Sequence, residues 1–550
     1  MRTQSAVFGC GFALVIAMAP GCGSSDKRSG FNEEEQTSAT DPGGGGGDKG
    51  PGGFGGGSTQ NLVLEPKNTT VIIDTATAPI TPGTAAYKVL DSGKDITASA
   101  KFTLKDASLG AFNGATFTSV AALPAGVLGK STTVQVETDR GSALGTLTVV
   151  QLRKTGAQRD FFFVVPYGED PSPKNDVLKF STNIKQADVA FVMDTTGSMG
   201  SAINQLKAAL QGTLMTQLQA AIPNVGLAVV DYRDFGDSWT VKVNQAVTTN
   251  LTLAKNGVAP MAAEQGGDTP EAAIAAMQFT LTGQANNGIA AHPNTVPGTF
   301  GGVDFRSGSV PVVVNITDAE WHDPSGNANM ATLKAAFAST KAKFVNIAES
   351  GFGSGPEGQA NDLSDATGSN VPAAAFGTVA SCAAGQCCTG QGGAGRAAGG
   401  PGGTCRLNFL SQNGNGVSSG IVKAIEAIAV GSTFDVKANA SNDPKNAKGV
   451  DATKFIKALR AMDEGNPANG CPAAPAKDSD GDGIKDTFLA VKAGTPVCFE
   501  VIPAKNTTVP PALDPQFFNA FVDVIAVQGN LHLDKRSVLF LVPPKDAGVK

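Results

Sequence analysis

Between residues 188 and 431, continuously apolar runs alternate with stretches of helical periodicity, and this alternation narrows the fold more than any other feature of the 550-residue chain. "DVAFVMD", "VGLAVVDYRD", "VPVVVNITD" and "KFVNIAE" read as strands too evenly apolar to keep a solvent face. Ile203, Leu206, Leu210, Leu214, Leu218 and Ile222 recur at helical spacing after the first of them. "PEAAIAAMQFTL", with Pro270 in its first turn, "ANMATLKAAFAST" and the segment carrying Val417, Ile421, Ile425 and Ile428 read as further helices. Such alternation predicts a parallel sheet covered by helices on both faces. Ligands of these sheets bind at the carboxyl ends of the strands, so Asp194 and Asp318, each closing an apolar run, are expected to meet at one edge.

The flanks read differently. Residues 61–182 carry short β-branched or alternating runs ("NTTVIIDTAT", "AKFTLKD", "STTVQVET", "ALGTLTVVQL") separated by Gly, Pro, Asp and Ser, the pattern of an immunoglobulin-like sandwich. Residues 433–545 ("TFDVKANAS", "TPVCFEVIPA", "QFFNAFVDVIAVQG", "SVLFLVPP") fit a second sandwich. The expected fold class is multidomain α/β plus all-β, an α/β domain over 187–431 flanked by two β-sandwiches.

Within "DTTGS", Asp194, Thr196 and Ser198 stand two residues apart on a turn between strand and helix, an oxygen-only donor set suited to a hard divalent cation. The turn resembles the metal-ion-dependent adhesion site of the von Willebrand factor A domain, which reads D-x-[ST]-x-S; here Thr196 stands where Ser is commoner. "EQGGDTPEAA", with Asp268 and Thr269, looks like the second loop of that site, and "VVVNITDAE", ending on Asp318, like the third; "VVDYRD" is also shared with many members. Three motifs in order exceed what helix capping by Thr, Ser and Asp explains. The resemblance implies a Rossmann-like domain holding Mg²⁺ or Mn²⁺ on Asp194, Thr196, Ser198, Asp318 and either Asp268 or Thr269. It also implies a binding or adhesion role rather than an enzyme. An acidic group from a protein or other ligand would complete the octahedral coordination, less readily if Asp268 binds the ion directly.

A second cation motif is "DSDGDGIKD". Asp478, Asp480 and Asp482 alternate, Gly483 permits a turn, Ile484 offers a carbonyl and Asp486 lies at position nine, which resembles calcium loops of the thrombospondin type 3 and EF-hand kind. Position twelve is Leu489, so Ca²⁺ would need a carboxylate from elsewhere to complete its shell.

The first residues read as an export signal. Arg2 precedes the apolar stretch Ala6 to Ala19, too short to span a bilayer, and "APGC" ends on Cys22. This resembles a bacterial lipoprotein signal (1–22), in which Cys22 would be lipidated, anchoring the protein to the cell envelope, at the outer membrane or cell surface. A Gly-rich tether follows at 23–60, with a root-mean-square span of roughly 30–37 Å as a flexible coil. The remaining cysteines, Cys382, Cys387, Cys388, Cys405, Cys471 and Cys498, are even in number and read as disulfides. Four belong to an insertion near 376–406 and two bound the acidic loop at 471–498. A net charge of −6 without basic runs argues against nucleic acid. Hydrolase chemistry is disfavoured: His292, His322 and His532 are the three histidines, and no G-x-S-x-G occurs. A structural envelope protein whose metal stabilises the fold is the alternative reading.

Overall fold

The computed structural model describes residues 62–544 apart from 76–78, 153, 156–157, 351–354 and 378–379. The signal segment with Cys22 and the tether lie outside the described residues, among which no helix is long and apolar enough to cross a membrane.

Six strands build the α/β sheet in the order Val241–Thr248, Asn224–Tyr232, Gln186–Asp194, Val310–Thr317, Lys343–Ser350, Asn408–Gln412. All neighbours run parallel except the first pair. Every residue of Gln186–Asp194 after Gln186 is buried, which is why the strand shows no polar alternation. Its two faces feed different cores. Phe191 and Met193 pack with Ile203, Leu206 and Leu210 of the helix Gly200–Gln211, whereas Ala190 and Val192 pack with Ile274 and Met277 of the helix Ala273–Thr282. The central strand is also where the connections reverse direction, so its carboxyl end opens a crevice between diverging loops.

Two helix expectations change. The run Ile203–Ile222 is two helices, Gly200–Gln211 and Leu214–Ala221, because Gly212 ends the first with its amide on the Ala208 and Ala209 carbonyls. Pro270 lies before its helix rather than in the first turn. The Glu271 amide donates to Glu320 O (2.9 Å) and its carbonyl accepts from His322 N (2.9 Å), so this backbone pairs with the neighbouring loop and the helix starts at Ala273.

The domain boundaries also change. The strands Phe161–Val164 and Asp176–Phe180, assigned by sequence to the 61–182 sandwich, belong to the second sandwich. Phe161–Val164 pairs in parallel with Leu531–Val542 and Asp176–Phe180 antiparallel with Val497–Pro503. The physical reason is aromatic: Phe161 stacks on Phe180, Phe163 on Phe540, and Phe180 meets Phe499 edge-on, filling the core between the two sheets. The α/β domain is therefore not simply flanked. It is inserted within the second sandwich, the chain leaving after Phe180 and returning at Thr433. Both crossings are fastened to one turn: Thr182 Oγ1 donates to Thr495 O (2.7 Å) and Ala493 N donates to Ser432 O (2.8 Å). The first sandwich keeps its own core around Tyr87, Phe102 and Phe117, with Gly141–Gln151 as its last long strand.

Three disulfides form. Cys382 pairs with Cys388, Cys387 with Cys405 and Cys471 with Cys498, so the adjacent Cys387 and Cys388 bond in opposite directions along the chain.

Candidate metal centre

Asp194 ends the central strand fully buried. One carboxylate oxygen accepts from the Thr196 amide (2.9 Å) and hydroxyl (2.7 Å), and the other from the Thr317 hydroxyl (2.6 Å). Ser198 Oγ donates to Asp318 Oδ1 at 3.1 Å. A hydroxyl whose proton goes to a carboxylate keeps its lone pairs free, so Thr196 and Ser198 can present oxygens to a cation while Asp194 and Asp318 hold their protons.

The second loop is docked on the first by the backbone. Gly197 N donates to Gln265 O (3.0 Å) and Glu264 N to Thr195 O (3.0 Å). Arg233, buried and stacked 4.3 Å over Trp239, donates to Gln265 Oε1 (2.7 Å) and Glu264 Oε2 (3.1 Å). Gly266 is required here: its φ is +74°, and a Cβ would lie 2.5 Å from Thr196 Cβ.

Thr196, Ser198, Asp268, Thr269, Glu271 and Asp318 line one cleft of about 490 Å³, with Asp194 beneath Thr196. All six residues expected from the motifs thus converge on one sheet edge. Asp268 and Thr269 are both exposed on its rim, and Ser198 faces solvent as well.

Glu271 was not anticipated. It is 2% exposed, and its Oε2 has no hydrogen-bond partner. Burial, then the negative charges of Asp194, Asp234, Asp237 and Asp268, push its carboxyl up to about 9. Burial raises Asp194 to about 6 against the Thr317 and Thr196 hydrogen bonds, and raises Asp318 as well. A buried acid among like charges is held neutral by a proton or balanced by a cation. The sequence hint was "DTPEAA", an acid at the head of a largely apolar helical run, which does not show which other acids surround it.

His322 stands near this edge, but its Nε2 lies within hydrogen-bond reach of Asp234 Oδ2 (3.2 Å) and its ring beside Phe235, with no nucleophile as its partner in either contact.

In the acidic loop, Asp478, Asp480 and Asp482 bring oxygens within 4.8 Å of one another. Asp478 accepts from the amides of Gly481 (2.7 Å) and Gly483 (2.8 Å), and Ile484 N donates to Asp482 Oδ1 (2.7 Å). Asp486 does not join them. Lys437 lies opposite Thr487 in the strand pairing and captures Asp486 at 2.9 Å, while Ser479 donates to it from amide and hydroxyl. The ligand expected at position nine is thereby turned into an ion pair.

Residues 188–289 match the family model described as von Willebrand factor A domain. The protein thus contains a von Willebrand factor A domain, and the match covers the central strand with the first and second site loops. Similar solved structures include a pilus adhesin and a VWA domain. The pilus adhesin SpaC from Lactobacillus rhamnosus GG, in an open conformation, is 11% identical with a TM-score of 0.26, over 70% of this chain and 48% of that one. The SpRpn10 VWA domain is 8% identical with a TM-score of 0.20, over 30% of this chain and 77% of that one. This chain therefore spans about half the length of the pilus adhesin. No curated protein matches it in sequence.

Proposed function

We propose that this is an exported binding protein, held at the cell envelope by lipid on Cys22, whose von Willebrand factor A domain engages a ligand through Mg²⁺ or Mn²⁺. The observation that carries the reading is the buried, unpartnered Glu271 oxygen in a cleft already lined by the hydroxyls and carboxylates of three loops. Thr196, Ser198, Thr269 and Glu271 would touch the ion, with Asp194 and Asp318 acting through the first two hydroxyls. Glu271 then supplies the one charge in direct contact, and the ion keeps a net attraction for an acidic oxygen of the partner. Asp478, Asp480 and Asp482 would hold Ca²⁺ in the second sandwich, with water or another segment replacing Asp486.

Capture of partners from envelope extract, with Mg²⁺ and with chelator, tests the reading: binding that survives chelation contradicts it. Calorimetry assigns the second loop. Thr269→Ala is expected to weaken ligand binding more than Asp268→Asn, and the reverse order would make Asp268 the direct ligand. The rival reading, a fold-stabilising metal, draws on the same crowded carboxylates. Melting temperature cannot separate the two, because an ion here relieves repulsion in either case. A partner that binds equally well without the ion favours the rival.

A further inference from the structure

Four side chains of the helix Glu357–Thr367 tie it to the loops behind the proposed cation set and to the disulfide-rich insertion. At its ends, Glu357 pairs with Arg396 and Asp365 pairs bidentately with Arg406 (2.8 and 2.6 Å). The Cys387–Cys405 disulfide indexes both arginines: Arg396 exchanges two backbone hydrogen bonds with Cys387 (2.9 and 2.8 Å), and Arg406 follows Cys405 in the chain. Between these grips the helix reaches the metal edge along two routes.

The first runs through Gln359, which accepts from Trp321 N (2.7 Å) and donates to Trp321 O (2.8 Å), clamping the loop after Asp318. The residues on either side of Trp321, Glu320 and His322, carry the backbone hydrogen bonds to Glu271. The second runs through the core. Asn361 Oδ1 accepts from Asn408 (3.2 Å), Asn408 Oδ1 from Asn346 (2.9 Å), Asn346 Oδ1 from Asn315 (3.0 Å), and Asn315 Oδ1 from the Tyr232 hydroxyl (3.2 Å). Asn315, Asn346 and Asn408 face one another on adjacent strands and are at most 1% exposed, where apolar side chains would pack without need of partners. Every bond in this chain donates away from Tyr232, so its proton is committed to Asn315. Tyr232 meets the first site loop through its carbonyl, which accepts from the Thr195 amide (2.9 Å) and hydroxyl (3.2 Å) beside Asp194.

We propose that Arg396 and Arg406, set by the Cys387–Cys405 disulfide, are positioning residues for the cation site, acting through the helix Glu357–Thr367, the Gln359–Trp321 clamp and the buried asparagine chain. This rests on the proposed cation site. The insertion would then be a brace whose grip sets cation affinity, beyond covering the edge of the sheet.

The test is Mg²⁺ calorimetry on the full chain carrying Arg396→Gln with Arg406→Gln, alongside Gln359→Ala, Asn346→Leu and the combination of the arginine pair with Gln359→Ala. The arginine pair is expected to weaken Mg²⁺ about tenfold, Arg406→Lys to restore part of it, and Gln359→Ala to add less in the arginine variant than alone. Trp321 emission, read in a Trp239→Phe background without metal, is expected to shift in the arginine variant. Unchanged affinity and unchanged emission in a folded arginine variant would overturn the inference, as would full additivity of Gln359→Ala. Should the double variant not fold, Arg406→Lys and Asn346→Leu carry the same comparison. If the unaltered protein binds no Mg²⁺, the proposed function fails, and Trp321 emission alone then decides whether the brace exists.

Discussion

Asp194, Thr196, Ser198 and Asp318 could be placed at the sheet edge from sequence because each lies at or just after the carboxyl end of an apolar strand, and Asp268 and Thr269 because a Gly-rich turn there precedes an apolar helix. Glu271 could not, because its character comes from burial among carboxylates on other segments, a property of the folded edge. The same holds for Asp486, whose partner Lys437 is brought opposite by strand pairing. Glu271→Gln removes the carboxylate that would meet the ion and the acid that folding must keep protonated, so Mg²⁺ affinity should fall at least tenfold while the cation-free protein melts higher at pH 8; calorimetry and thermal scans check both. The pH dependence has a definite sign. Folded Glu271 keeps its proton up to about 9, whereas the unfolded side chain releases it near 4.5. Across that window the unfolded chain binds fewer protons, so cation-free stability falls as pH rises. Asp194 adds the same trend between 3.8 and about 6. With chelator the melting temperature should be lower at pH 8 than at pH 5, and added Mg²⁺ should narrow the gap. A chelated protein no less stable at pH 8 would contradict the burial of these acids.

At the scale of elements, strands were legible because burial on both faces leaves an unbroken apolar signature, as in Gln186–Asp194. Helix limits were less so. Gly212 breaks a run whose apolar spacing continues across it, and the start at Ala273 is imposed by backbone pairing with a loop some fifty residues away. The loop that carries Thr269 depends on Gly266. Gly266→Ala forces a positive φ on a Cβ-bearing residue and presses Thr196, at a cost of about 1–3 kcal/mol, and Mg²⁺ binding should weaken with it. A Gly266→Ala protein of unchanged stability and affinity would mean the second loop is not seated on the first as described. In the second sandwich, Cys471 and Cys498 close the acidic loop at its base across 27 residues. Replacing both with Ser should cost about 2–4 kcal/mol in denaturant unfolding and weaken Ca²⁺ in a titration. A loop that binds Ca²⁺ equally well without the bond would contradict its role as a closure.

For the whole molecule, the three-part composition was visible in sequence but the insertion was not. The strands Phe161–Val164 and Asp176–Phe180 look like those before them, and their partners lie more than 300 residues onward. Consequently a fragment spanning residues 61–152 should fold alone, while one spanning 433–544 should not, because it lacks a strand of each sheet and Phe161, Phe163 and Phe180 of the core; circular dichroism and amide dispersion distinguish these outcomes. At the same scale, Cys22→Ser should release the protein from membranes, and continued association after signal processing would contradict the anchor. The central claim is that the edge formed by Asp194, Thr196, Ser198, Thr269, Glu271 and Asp318 takes up a divalent cation. Calorimetric titration of Mg²⁺ into the chelator-treated protein at pH 7, repeated in buffers of different ionisation enthalpy, tests it most directly. One ion should bind this edge with release of about one proton, the one held by Glu271, and that event should disappear in Glu271→Gln with Ser198→Ala. Heat that is absent, or that persists unchanged in the double variant, would contradict the account.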